Sequence, residues 1–177
     1  MEAVELTIGE LVVLGALVER PRHGYDIEQV IEERGVRRWT DIGFSSIYYL
    51  LDKLTARGLA EADDDRPSPK ARRVARITDR GRRAAAADVR ELLSGAGVPA
   101  RSFLAGLAHS TLLPAHEVEE ALRARLAGLD TRIGAVVAAR TAQEPLPAEA
   151  RDVFSFSLSQ LRAERSWLAE RVQVSDD

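Results

Sequence analysis

The chain has 177 residues, 45% of them hydrophobic and 30% charged, with a formal net charge of −3. That is long enough for one large domain or two small ones with a buried core, and the composition excludes wholesale disorder. No cysteine is present, which excludes a disulfide scaffold and any thiolate metal site.

The charge is unevenly spread. Between Arg66 and Arg90 lie Arg66, Lys70, Arg72, Arg73, Arg76, Arg80, Arg82, Arg83 and Arg90 against Asp79 and Asp88, a net of +7 that leaves −10 for the rest. A local positive field on an acidic body suits a phosphate backbone held on one face; the plain alternative is a solvated arginine-rich helix.

In chain order, Thr7 and Glu10 form a T-x-x-E capping box, followed at helical spacing by Leu11, Leu14, Leu17 and Val18. Val12 and Val13 fall on the other flank. The helix is therefore apolar nearly all round and is expected to be buried on two sides, with Leu11, Val12 and Leu14 serving a subunit contact as well as the core. Its apolar stretch Val12–Val18 is too short to span a bilayer and follows acidic residues, so it reads as no signal peptide; a cytoplasmic protein with no membrane partner is expected. Pro21 ends the helix.

A second helix is expected from Gly24 to Arg34, with Ile27, Val30 and Ile31 inward and Gly35 as its stop. After a loop holding Trp39, a third runs from Ser45 as N-cap to Gly58. Its buried stripe is expected to be Ile47, Leu51 and Leu54 with Leu50 beside them; Tyr49, Asp52, Lys53 and Ala56 face outward, and Tyr48 lies between. Leu59–Ala62 is a short strand, residues 63–70 a polar loop with two prolines, and residues 72–77 a second strand. Alternation puts Arg72, Val74 and Arg76 on one side of that strand and Ala75 and Ile77 on the other. Thr78 caps a fourth helix that runs through Leu93. Gly95-Ala96-Gly97 breaks the chain, dividing a domain of residues 1–95 from a helical region of residues 96–177.

Beyond that break all reads as helix. Phe103, Leu104, Leu107 and Thr111 mark a short one. Pro114 opens a longer one in which Leu122, Leu126, Leu129, Ile133 and Val136 form a coiled-coil-like seam. Pro147 opens the last, which carries two stripes: Phe154, Leu158, Leu161, Leu168 and Val172, and then Phe156, Ala163 and Trp167, with Gln160 between. A monomer core uses one stripe. The second implies a partner, although a better-buried monomer core would also explain it; Phe156 and Trp167, with Leu161 and Leu168 of the first stripe, are read as dimerisation residues.

Three helices, a two-stranded hairpin and a fourth helix within about 95 residues have the order of a winged helix-turn-helix. The fold class is mostly α with a small two-stranded β wing, followed by an all-helical dimerisation region. The residues resemble the PadR family of transcriptional regulators, in His23-Gly24-Tyr25, Ser46-Ile47-Tyr48, Leu54 through Gly58-Leu59, and Ile77-Thr78-Asp79-Arg80-Gly81. They depart from it in carrying Val74 and Ala75 where the family strand has aromatic residues.

A recognition helix presents polar side chains at its N-terminal turns and reaches phosphates from its flanks. Ser45, Ser46, Tyr49 and Lys53 suit that role, and Tyr25 and Tyr48 serve either phosphate contact or packing. Arg66, Lys70, Arg72 and Arg76 form the wing's contribution. Asp63, Asp64 and Asp65 are read at the wing's base, facing away. No Arg, Asn or Gln on the outward face names a base, so specificity leans on DNA shape or the wing tip.

The resemblance implies a homodimer bound to a palindromic double-stranded operator. It also implies repression relieved by a small aromatic or drug-like effector between subunits; Trp39 and Trp167 either stack against such a ligand or, the favoured reading, pack in an ordinary core. A protein-interaction adaptor on the same scaffold is the alternative. His23, His109 and His116 lie apart, His23 as a turn residue and the others at surface or capping positions. No phosphate loop or nucleophile motif is present, so no catalytic residue, metal or cofactor is expected.

Overall fold

The computed structural model describes residues 5–38, 40, 42–43, 46–62, 73–97 and 100–173. Helix α1 (Ile8–Glu19) starts where its sequence says it should. The Glu10 N–H donates to Thr7 Oγ1 (3.2 Å), and the Thr7 N–H donates to the Glu10 carboxylate (2.8 Å). Every residue from Glu10 to Leu17 is buried, as its all-round apolar pattern requires. Arg22 closes the other end: its Nε donates to the Ala16 carbonyl (3.0 Å), and its guanidinium pairs with Glu19 (2.6 Å). These are the orphan carbonyl and the cation that a helix C-terminus favours.

Arg22 and His23 form a strand the sequence reading did not contain, β1 (Arg22–His23), which leads directly into α2 (Gly24–Glu33). Gly35 stands at φ +61°, the left-handed conformation that ends α2. The link to α3 (Ser46–Ala56) is tied down by Arg37. It pairs with Glu28 and Glu32 of α2 and donates from Nε to the Ile42 carbonyl (3.1 Å), fastening the loop to α2. Gly58, at φ +67°, turns the chain out of α3.

Strands β2 (Ala60–Ala62) and β3 (Val74–Ile77) pair antiparallel, with Ala60 opposite Ile77, Glu61 opposite Arg76 and Ala62 opposite Ala75. β1 pairs with the other edge of β3, so the sheet has three strands in the order β1-β3-β2. Ala75, central in that sheet, is buried, and Arg76 points to solvent. A small residue therefore packs where an aromatic one was the family expectation. Helix α4 (Asp79–Ser94) is capped by Thr78 Oγ1, which accepts from the Gly81 N–H (3.0 Å). Gly81 is required by proximity: a Cβ there would stand 2.0 Å from the Leu59 carbonyl oxygen.

By contacts the chain divides into two compact units, Met1–Leu92 with Pro99–Pro114, and Leu93–Val98 with Ala115–Asp177. Helix α5 (Ala100–Ala108) thus belongs with the first unit. Behind it, His109 precedes a 3-10 turn and departs from a surface role. Its ring lies on α1, where a Cβ on Gly15 would meet Nδ1 at 2.2 Å. Burial first, then the charge of Arg34, pushes the imidazole down to about 4, so it packs as a neutral group.

The second unit is an antiparallel pair, α6 (Ala115–Ala142) and α7 (Ala148–Gln173). Leu122, Leu129, Leu158, Leu168 and Val172 fill its interior. Arg125, 1% exposed, crosses from α6 to Glu164 of α7 (2.6 Å) and also donates to the Gly95 carbonyl. Arg165 and Asp130 make a second bridge at 2.5 Å. The two stripes of α7 separate as their spacing predicts: Leu158, Leu168 and Val172 are inside, while Phe156 and Trp167 are exposed.

Candidate nucleic-acid interface

The face that α3 turns outward is decided by what it buries. Ile47 and Leu54 are fully enclosed and Leu50 nearly so, while Leu51 is only half-buried. The buried stripe is therefore Ile47-Leu50-Leu54 rather than Ile47-Leu51-Leu54. All four residues lie within one arc of a 3.6-residue helix, and packing against α1 and α2 selects among them.

On the outward side Tyr49 is 66% exposed and Tyr48 36%. The Tyr48 ring rests on the start of α2, where a Cβ on Gly24 would lie 2.6 Å from its Cε1. This contact joins the His23-Gly24-Tyr25 and Ser46-Ile47-Tyr48 segments, and it explains the glycine. Tyr48 thus packs along one edge and offers the other to solvent. Tyr25 is 60% exposed, and its hydroxyl accepts from Gln29 Nε2 (3.4 Å). Ser46 is half-buried.

Lys53 is not simply outward. Its Nζ lies 3.2 Å from the carboxylate of Glu10, which is 1% exposed and also holds Arg57 at 2.6 Å. Burial alone would raise the Glu10 carboxyl, but the Thr7 N–H, Arg57 and Lys53 outweigh it and hold it below the ordinary range. One carboxylate therefore closes the α1 cap and fastens α3 to α1. The capping role of Glu10 is visible in the sequence. Its use as an anchor for α3 is a contact between residues more than forty positions apart, and no local pattern signals it.

Arg73 and Arg76, beside and on β3, and Arg80, Arg82, Arg83 and Arg90 of α4 are all exposed. The Arg80 guanidinium approaches the turn at Gly58, 3.7 Å from where a Cβ would stand. Ser45, Arg66, Lys70 and Arg72, with Trp39 and residues 63–65, lie outside the described residues.

The residues expected at a subunit contact fall into two groups. Leu11, Val12 and Leu14 are buried within the chain itself, as is Leu168, and Leu161 is half-buried. Phe156 and Trp167 remain 65% and 44% exposed, and Val153, 66% exposed, joins them on α7.

Among the described residues no group of three or more His, Asp or Glu side chains is arranged to hold a metal ion, and no helix is long and apolar enough to cross a membrane.

No curated protein matches the chain. Among solved structures it is similar to Bacillus subtilis PadR in complex with operator DNA, at 17% identity over 95% of this chain and 99% of that one, with a TM-score of 0.43. Bacillus subtilis PadR in complex with p-coumaric acid is similar at 18% identity over 97% and 100% of the two chains, with a TM-score of 0.42. A Streptococcus mutans protein is similar at 21% identity over 93% and 98%, with a TM-score of 0.40. Residues 13–87, from α1 into α4, match the model of the Transcriptional regulator PadR-like family, and this segment of the chain is similar to that family.

Proposed function

We propose that the protein is a homodimeric DNA-binding repressor, cytoplasmic and without catalytic activity, in which residues 1–95 read DNA and residues 96–177 dimerise. Helix α3 enters the major groove, and the hairpin of β2 and β3 with the arginines of α4 holds the backbone. The observation that carries this reading is the outward face of α3 within the segment that matches the family model: Tyr49 stands exposed in its N-terminal half, and the same segment carries exposed arginines on β3 and α4. Tyr25, Ser46 and the open edge of Tyr48 add hydroxyls beside it, and Ser45, Arg66, Lys70, Arg72 and Arg76 complete the contact set. Lys53 contributes its charge to the field while it is bound to Glu10.

The dimer forms through the outer stripe of α7, where Val153, Phe156 and Trp167 leave large apolar side chains in water. Leu11, Val12 and Leu14 spend their burial inside the subunit, so α7 offers the larger apolar surface. A two-fold dimer reads a palindromic operator whose half-sites lie about 34–36 Å, or a multiple, apart. A small effector binding between subunits relieves repression.

Selection of duplexes from a random pool by the full-length protein tests this reading. It predicts recovery of an inverted repeat, and a dimeric complex on it. Recovery of no common sequence, with binding lost at moderate salt, overturns it in favour of a protein-interaction adaptor.

A further inference from the structure

The turn between α6 and α7 opens a cleft of about 750 Å³ within the second unit. Three guanidinium groups line it: Arg140 from the last turn of α6, and Arg151 and Arg162 from α7. Among the described residues none of the three is in an ion pair, although the chain pairs Arg22, Arg34, Arg37, Arg57, Arg125 and Arg165 with carboxylates elsewhere. Arg140 Nε is moreover buried from solvent with no hydrogen-bond partner among the described residues, a donor left in want of an acceptor. Glu144 supplies the one carboxylate in the lining, so the cleft keeps a net positive charge of two.

The rest of the lining is of two kinds. Ser155 adds a hydroxyl, and Pro145, Leu146 and the buried Leu158 add an apolar wall. Converging guanidiniums bind planar or tetrahedral oxyanions through paired N–H donors, and an apolar wall takes the body that carries them. We propose that this cleft is a binding site for a small organic anion, an oxyanion headgroup on a compact apolar body. The headgroup sits between Arg140, Arg151 and Arg162, and the body lies against Leu146 and Leu158. The proposal stands on the cleft alone and is independent of operator binding.

Calorimetric titration of the full-length protein tests it with four probes: benzoate, phenyl phosphate, inorganic phosphate and benzyl alcohol. The expected result is saturable binding of benzoate, of phenyl phosphate or of both, at least tenfold stronger than that of benzyl alcohol, which lacks the charge, and of inorganic phosphate, which lacks the body. A preference between the two organic anions then tells carboxylate from phosphate as the natural headgroup. Arg140→Gln with Arg162→Gln is expected to weaken binding at least tenfold, and Arg123→Gln, early in α6 and paired with Glu119, to leave it unchanged. Should the double variant not fold, Arg151→Gln, exposed and at the cleft's rim, is expected to weaken binding several-fold. The proposal is overturned if neither organic anion binds at millimolar concentration, if benzyl alcohol binds as well as they do, or if variants that melt like the wild type bind undiminished.

Discussion

Lys53 Nζ lies 3.2 Å from the Glu10 carboxylate, so the helix proposed to read DNA is fastened to the first helix through a buried acid. Glu10→Gln breaks the pairs with Lys53 and Arg57 and weakens the α1 cap. The cations left behind remain partly solvated, so the cost falls below that of stranding a fully buried charge, at about 2–4 kcal/mol. The Glu10 carboxyl is lowered in the folded state, so its contribution is present above the ordinary carboxylate value and fades as pH falls through the folded one. Chemical denaturation between pH 7 and pH 3 should show a shallower acid loss in Glu10→Gln than in the wild type.

The same contact separates two neighbours on α3. Tyr49→Ala removes an exposed ring and should weaken operator binding with no change in melting temperature. Lys53→Ala should lower both, the stability by about 0.5–1 kcal/mol because the lysine is part-exposed. Paired melting curves and anisotropy titrations distinguish the two, and equal behaviour contradicts the assignment.

In the core of α3, Leu54→Ala is expected to cost about 2–5 kcal/mol, as a fully buried leucine does. Leu51→Ala should cost less than half of that. Urea denaturation of the two variants checks the order, where equal places on one stripe would imply equal costs.

Much of this was legible in sequence, and what was not has a common cause. The Thr7–Glu10 box, the glycine stops at Gly35 and Gly58, the Thr78 cap and the two stripes of α7 are local signals, and the structure carries each of them. β1 has two residues, too few for any alternation, and exists only because β3 lies beside it. The choice of Leu50 over Leu51, the ring of His109 on Gly15 and the grip of Glu10 on Lys53 are likewise set by elements distant in sequence. Of the candidate interface, the outward tyrosines and the arginine-rich stretch were readable. The second use of Lys53 was not.

Asp88 of α4 is pushed from its ordinary 3.8 up to about 6, by burial first and then by the charges of Glu91, Glu5 and Glu10, and its Oδ2 has no hydrogen-bond partner among the described residues. A raised folded value means that the favourable contribution is complete below the unfolded value and is lost as pH rises through about 6. Asp88→Asn should therefore stabilise the protein by about 1–2 kcal/mol at pH 7.5, after discounting for partial exposure, and by almost nothing at pH 4. Melting temperatures at the two pH values decide it.

The central claim, a groove-reading helix beside a phosphate-holding basic stretch, is tested most directly by the salt dependence of operator binding. With three or four phosphate contacts per subunit, a dimer neutralises about six to eight phosphates, and log K against log salt should fall with a slope of about −5 to −7. Lys70→Ala with Arg72→Ala, four contacts per dimer, should flatten that slope by about 3 to 4 units and weaken specific and non-specific DNA alike. A wild-type slope near zero, or a slope untouched by the double substitution, would contradict the account and leave the basic stretch a solvated surface.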